Sequence, residues 1–307
     1  MNDYLLSVLL GIIEGLTEFL PVSSTAHLRI AESFLGVDLA NGYWKMFSIV
    51  IQLGAILCLP VYFVHRIDKL IGLRSGEYSF PVSMCVRLWR TLVGVFKSGP
   101  VQLVAIAFVC TAIPSFLLTK TIGKHLESLY VMSLALIIGG IVMWIVDGIY
   151  DRSQHKAFAR GKLTEDMEEM SIGQAVWIGL CQVLSAVFPG TSRSMSTITA
   201  GELAGMDRPS ALEFSFFLSI PTMVVATVYD LWKSTHPHHG EPSAIGAMPS
   251  DAHSWIVLAI GFVVSFIVAY GVVAWFMNWV RTRGFTVFAV YRILLGAFVF
   301  WYATHPH

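Results

Sequence analysis

Glu14 and Glu18 stand four residues apart in an apolar stretch, so on a helix they share one face. No basic residue precedes Arg29 to neutralise them. A carboxylate in hydrocarbon costs at least a few kcal/mol, which makes a membrane-embedded acidic pair a candidate site. Two hard oxygen ligands suit a divalent cation, Mg2+ or Ca2+. The plainer alternative is a capped or water-exposed pair near a membrane surface. Behind Pro21 follow Ser23, Ser24, Thr25 and His27. A helix N-cap needs one hydroxyl, and here there are three. The histidine adds a group able to act as acid or base near neutral pH, which turns the cluster toward catalysis. The alternative for it is simple packing.

A related pattern recurs 168 positions later. Gly11-Ile12-Ile13-Glu14 leads to Phe19-Leu20-Pro21-Val22-Ser23-Ser24, and Gly179-Leu180-Cys181-Gln182 leads to Val187-Phe188-Pro189-Gly190-Thr191-Ser192-Arg193-Ser194. Gly11 aligns with Gly179, Glu14 with Gln182, Pro21 with Pro189 and Ser24 with Ser192. In the second copy Gly190 allows a sharp turn or a close approach to a ligand. The helix that follows offers free N–H groups to an anion. Arg193 adds a fork of donors matched to phosphate oxygens. It lies too far from either end of its segment to reach the headgroups easily. The combined set is one for phosphoryl transfer, where positioning and charge stabilisation dominate. In it Glu14 and Glu18 hold a metal, and either Ser24 is the nucleophile with His27 its base or orienter, or a metal-bound water attacks directly among the same residues. Ser23, Thr25, Gly190, Thr191, Ser192, Arg193 and Ser194 bind phosphate. A substrate that reaches such a site is a lipid phosphate.

The elements that position these residues are those of a membrane protein. Apolar residues make up 55% of the 307 and charged residues 13%, with mean hydropathy +0.68; soluble domains are about a quarter charged. The formal net charge of zero names no partner. Six stretches are expected to cross a bilayer: 44–64, 100–119, 129–150, 210–232, 254–279 and 285–303. The pairs 4–20 with 22–37 and 171–187 with 190–204 are each broken at a proline and read as re-entrant helical hairpins. Irregular backbone at that depth survives only inside protein or against a water-filled cavity. Residues 80–97 are expected to form an interfacial helix. Basic residues collect in 65–97, in 151–170 and at Arg281 and Arg283, which places these three loops in the cytoplasm if the crossings alternate. Three crossings then separate the hairpins, and an odd number inverts the second.

The expected fold is therefore an all-α integral membrane protein with six transmembrane helices and two re-entrant hairpins in an inverted-topology repeat. It is one membrane domain, 1–307: a first repeat 1–150 with hairpin 4–37, a cytoplasmic linker 151–170, and a second repeat 171–307 with hairpin 171–204. The N-terminus lacks the basic region of a cleavable signal. The cysteines Cys58, Cys85, Cys110 and Cys181 have no metal or redox spacing. His236-Pro237-His238-His239 reads as a solvated loop, Asp147 and Asp230 as helix ends facing headgroups, and Arg292 as the partner of a buried acid, with Glu213 one candidate.

At these residues the chain strongly resembles the undecaprenyl-diphosphate phosphatases of the bacitracin-resistance type. The resemblance rests on Glu14 through Thr25 with His27, and on Pro189 through Ser194. Ile51-Gln52-Leu53-Gly54, Glu213-Phe214-Ser215-Phe216 with Pro221, and Tyr291-Arg292 support it along nearly the whole chain. It implies a bacterial inner-membrane enzyme that hydrolyses undecaprenyl diphosphate to undecaprenyl phosphate and inorganic phosphate. Such an enzyme recycles the carrier for peptidoglycan and other envelope polymers and supports bacitracin resistance. The resemblance assigns acidic roles to Glu14 and Glu18, places the motif serine and histidine at Ser24 and His27, and gives phosphate binding to Ser192 and Arg193. It also implies a site that opens to the periplasm and uses Mg2+ or Ca2+. Three positions depart from the family pattern: Ala26 and Met195 stand where glycine is usual, and Ser48 stands where an acidic residue is frequent.

The rival class is a lipid-phosphate transporter or flippase, because inverted repeats with broken helices also build transporters. The carboxylate of Glu14 has no acidic counterpart at Gln182, which favours a one-sided chemical site. The expected partners are a polyprenyl diphosphate and membrane lipids, with no nucleic acid; a homodimer stays open.

Overall fold

The computed structural model describes residues 2–37, 42–70, 99–122, 128–158, 163–235, 249 and 251–305. The expected interfacial helix at 80–97, Cys85 and the loop His236–His239 lie outside the described residues. Within them the chain is helical, with a single isolated bridge between Thr164 and Met206 and no strand.

Six helical stretches are long and apolar enough to cross a bilayer: Gly42–Tyr62, Gly99–Leu118, Leu129–Asp151, Arg208–Trp232, Ala252–Val280 and Thr286–Thr304. They match the six expected crossings to within a few residues. The first comprises α3 (Gly42–Ile56) and α4 (Cys58–Tyr62) and breaks at Leu57. The cause is Pro60, which has no N–H to give the Ile56 carbonyl. A short α5 (Val64–Leu70) follows. The others are α6 (Gly99–Ile122), α7 (Leu129–Phe158), α10 (Arg208–Thr235), α11 (Ala252–Val280) and α12 (Thr286–Thr304).

Two further pairs of helices are shorter. α1 (Asp3–Thr17) and α2 (Ser24–Phe34) flank the first turn, and α8 (Ile172–Val187) and α9 (Arg193–Leu203) flank the second. At 1.5 Å per residue, α1 covers only about 22 Å of a hydrocarbon core roughly 30 Å thick. Asn2 caps α1, and a capping box of Ser171 and Gln174 starts α8.

The first member of each pair packs on a helix from the other half of the chain. α1 lies along α11, where Gly11 faces the Gly261 carbonyl and Val264. α8 lies along α6, where Gly179 faces the Ala107 backbone and its carbonyl accepts from Thr111 Oγ1 at 2.7 Å. α7 and α12 cross at a pair of glycines. Gly140 faces the Ala289 carbonyl, Arg292 Cβ and Ile293, and Gly296 faces the Ser133 carbonyl, Leu136 Cβ and Ile137. The two sets are the same positions displaced by one constant offset, so this crossing has two-fold character. A Cβ at either glycine would meet a backbone oxygen at 2.9 Å, so the close approach of the two helices there requires glycine.

Charged hubs mark one end of the bundle. Arg66 binds Asp166 (2.5 Å), Glu168 (3.3 Å) and Glu213 (2.7 Å), tying α5 to the 163–170 linker and the start of α10. Arg208 binds Asp147 (2.5 Å), Asp151 (2.7 Å) and Glu202 (3.2 Å). Asp147 is buried and accepts from the Phe285 and Thr286 amides, so it starts α12 and does not face headgroups as expected. At the start of α1 and α11, His253 bonds Asp3 (3.1 Å) and Tyr4 (3.0 Å).

The main apolar core lies immediately behind the first turn. It contains Phe19, Phe63, Phe216, Phe276, Phe285 and Phe288. Phe19, next to Glu18 in the chain, is fully buried against Phe216 and so anchors the start of the first turn.

Candidate active site

The two turns meet. Pro21 ends the first broken helix region, and Pro189-Gly190 ends the second. Gly190 has φ +92°, and a Cβ there would lie 2.7 Å from the Met132 carbonyl of α7, so the position requires glycine on both counts. Ser194 Oγ donates to the Leu20 carbonyl at 2.9 Å and joins the second turn directly to the first.

Each turn ends on a serine with positive φ, Ser23 at 75° and Ser192 at 70°. Each serine side chain caps the helix behind it, accepting from Ala26 N and Met195 N respectively. This corrects the alignment of Ser24 with Ser192. The counterpart of Ser192 is Ser23, one residue earlier, because the second turn is one residue longer between the aligned helices and the caps. Ser24 therefore corresponds to Arg193, and both are the first residues of their helices.

These two first residues converge on one carboxylate. Ser24 Oγ donates to Glu18 Oε2 at 2.5 Å, and Arg193 Nη2 donates to Glu18 Oε1 at 2.8 Å. Ser24 and Glu18 are buried, and the Arg193 side chain is only 9% exposed. Two helix N-termini thus face the same point, an arrangement that favours an anion through dipole and amides together. Nearby, both oxygens of Glu14 are buried without a hydrogen-bond partner, and so are Nε and Nη1 of Arg193. An orphan carboxylate calls for a cation, and two orphan guanidinium donors call for an anion.

His27 is held elsewhere. Its Nδ1 lies 2.7 Å from the Ser23 carbonyl and its Nε2 2.7 Å from the Tyr291 hydroxyl, with the two rings stacked. A carbonyl only accepts, so Nδ1 donates to it, and in the neutral ring Nε2 accepts the hydrogen bond of the Tyr291 hydroxyl. The hydrogen-bond partner of Ser24 is Glu18, where the sequence reading had favoured His27.

Arg292 also differs from expectation. Fully buried, it donates to the carbonyls of Pro21 (3.0 Å), Ala135 (3.3 Å), Gly190 (3.1 Å) and Thr191 (2.8 Å). Glu213, its expected partner, pairs with Arg66. One guanidinium therefore clasps both turns through their backbones, which exposes no acidic signature in the sequence. Of the expected phosphate-binding hydroxyls, Ser23 and Ser192 are caps, Ser194 bridges the turns, and Thr25 is exposed.

Sequence reasoning did not single out Glu32. It is fully buried, accepts from Ser48 Oγ at 2.6 Å and pairs with Arg29 at 3.2 Å. Ser48, where the family often has an acid, thus touches an acid supplied by α2. The signal available was Glu32 itself, the one carboxylate of the half-helix that follows the first turn.

A family model described as "Bacitracin resistance protein BacA" matches residues 7–298. The chain belongs to this family. Among its curated relatives, a protein of Koribacter versatilis (strain Ellin345) named "Undecaprenyl-diphosphatase" is 61% identical over 300 residues, covering 96% of both chains. Proteins of the same name from Persephonella marina (strain DSM 14350 / EX-H1) and Bradyrhizobium sp. (strain ORS 278) are 39% and 40% identical, again over 96% of each chain. The family model covers both turns and every residue that meets at Glu18, so the convergence described above belongs to the family region of the chain.

Proposed function

We infer that this multi-pass membrane protein hydrolyses undecaprenyl diphosphate to undecaprenyl phosphate and inorganic phosphate. Family membership and three relatives named for that activity support the reading. The single structural observation that carries it is the meeting of Ser24, Arg193 and Glu18 inside the bundle, with donors and acceptors left over. Recycling of the lipid carrier for envelope polymers, and with it bacitracin resistance, follows from that reaction.

In the proposed mechanism the terminal phosphate enters on the free Nε and Nη1 of Arg193, at the paired helix N-termini. Ser24 Oγ attacks the terminal phosphorus while its proton passes to Glu18 Oε2, already 2.5 Å away. The phosphorus–bridging-oxygen bond breaks, and undecaprenyl phosphate leaves. Water then attacks the phosphoserine: the phosphorus–Oγ bond breaks, Ser24 Oγ takes its proton back from Glu18, and one water proton is released with the inorganic phosphate. His27, fixed between Ser23 and Tyr291, orients the strained first turn on which Ser24 stands.

The residues fit a divalent cation. Glu14 offers two unpartnered oxygens, with Glu18 one helical turn away. No cluster of three His, Cys, Asp or Glu side chains occurs among the described residues. One or two carboxylates completed by substrate phosphates is the usual habit of Mg2+, whereas Ca2+ takes more protein oxygens. Glu14 and Glu18 would hold the ion, which when bound would neutralise charge on the diphosphate.

The proposed setting is the bacterial inner membrane, with the site open to the periplasmic side and the Arg66 and Arg208 hubs at the cytoplasmic end. The swapped packing of α1 and α8 and the two-fold crossing of α7 and α12 support an inverted-topology repeat. The test is phosphate release from undecaprenyl diphosphate by the purified protein in detergent, with quenched samples examined for phosphate on Ser24. Serine-linked phosphate in the wild type and none in Ser24→Ala is the expected result. Full turnover by Ser24→Ala would overturn the serine route. Absence of phosphate release by the wild type, in a single compartment, would return the chain to the transporter class.

A further inference from the structure

A large cavity of about 590 Å3 opens between α7, α8 and α9, lined almost wholly by apolar side chains. Small-molecule sites run from about 300 to 1,000 Å3. At its inner wall are Thr191, whose carbonyl Arg292 holds in the second turn, and Met195, two residues past Arg193. The cavity therefore borders the second turn and the first residues of α9, next to the proposed phosphate site.

The other half of the chain has the matching place, and there it is closed. The offset that relates Gly140 to Gly296 relates Ala135 to Tyr291 and Val142 to Phe298. The offset that relates Ser192 to Ser23 relates Ser196 to His27 and Leu203 to Phe34. Ala135, Val142, Ser196 and Leu203 all line the large cavity. Their aromatic counterparts fill the matching space: His27 stacks on Tyr291 at 5.6 Å, and Phe34 on Phe298 at 6.3 Å. What remains beside Phe34 and Phe298 is about 10 Å3. Even the backbone bond is shared, since Ser196 Oγ donates to the Ser192 carbonyl as His27 Nδ1 does to that of Ser23. The two-fold plan thus provides two cavities, and small side chains keep one of them open.

We propose that this open cavity receives the isoprenoid chain of the lipid diphosphate, next to its phosphate end, and that it sets which chains are accepted. The inference rests on the proposed hydrolase reading. A phosphate on Arg193 places its attached chain beside Met195, and the polar side chains on the cavity walls are few: Tyr130, Cys181, Thr191, Ser196 and Thr199. The aromatic plug in the first half closes the matching place to the tail.

The test copies the plug into the open half with V142F/L203F, two positions that neither touch nor flank the turns. Rates are measured on undecaprenyl diphosphate and on geranyl diphosphate. The expected result is a loss of tenfold or more in kcat/KM for the long chain with less than twofold change for the short one. No loss, or an equal loss for both, would overturn the proposal. A second measurement uses the wild type, so that a variant that fails to fold does not decide the matter. A prenyl diphosphate carrying a photoactivatable group near its head should label residues 130–142 or 195–203, and excess undecaprenyl diphosphate should remove the label. Labelling elsewhere, or removal of the label by phosphatidylglycerol, would show that ordinary membrane lipid or another path is involved and would overturn the proposal. Failure of the hydrolase reading is separately visible, as wild-type protein that binds the probe and releases no phosphate from either substrate.

Discussion

Ser23 and Ser192 share a left-handed backbone conformation, and each caps the half-helix whose first residue reaches Glu18. A non-glycine residue held there costs about 1–3 kcal/mol, retained because the side chain works as a cap. Glycine relieves the backbone cost and loses only a few tenths of a kcal/mol of capping, whereas alanine keeps the strain and loses the cap. Ser192→Ala should therefore melt roughly 2–4 °C below wild type, and Ser192→Gly at or above it. Scanning fluorimetry in detergent decides, and equal melting of the two variants would count against strain at this turn.

Arg292 sets the distance between the turns by holding carbonyls of both. Lysine keeps the charge but loses the planar fork that reaches several acceptors at once. Arg292→Lys is expected to lower kcat by about a hundredfold, on the scale of a small misplacement of reacting groups. A wild-type rate would show that the turns are held by other means.

Glu14 and Glu18 should separate in a metal titration. Glu14→Gln leaves the Ser24–Glu18–Arg193 contacts intact, so the half-activating Mg2+ concentration should rise tenfold or more while saturating metal restores much of the rate. Glu18→Gln removes the proton acceptor of Ser24 and should lower kcat by about 10²- to 10⁴-fold at any metal concentration. Chelation should silence the wild type. Identical metal dependence in both variants would contradict the division of roles.

Asp166, outside the membrane, gives a pH signature. Burial works against its charge, but the Glu168 amide and the Arg66 guanidinium hold its carboxyl below the usual aspartate range. A depressed folded-state value contributes stability above the unfolded-state pKa, and that stability is lost as pH falls through the folded-state value. The melting temperature of the wild type should exceed that of Asp166→Asn at neutral pH, and the gap should close as pH is lowered through that range. A gap independent of pH would remove Asp166 from the linkage.

The six crossings and both breaks were legible because long apolar runs and prolines act locally. The site chemistry was legible in part. Glu14, Glu18, Ser24 and Arg193 announced themselves as polar groups that hydrocarbon does not tolerate without a partner. The one-residue shift between Ser23 and Ser192 was not legible, since it arises from turn length and backbone conformation, and similar serines stand on both sides of it. Arg292 misled because a cation suggests an anion, while carbonyl oxygens, which every residue carries, leave no mark in a sequence. The link of His27 to Tyr291 spans nearly the whole chain, and no local pattern encodes it.

The clasp at Arg292 also bears on how this molecule is assembled. A side chain contributed by the last helix completes a knuckle laid down at the start of synthesis and another laid down midway. The early segments must therefore wait, shielded but unfinished, until the final stretch of polypeptide arrives. Two fragments severed in the 151–170 linker should be inert apart and regain turnover only when made in the same membrane.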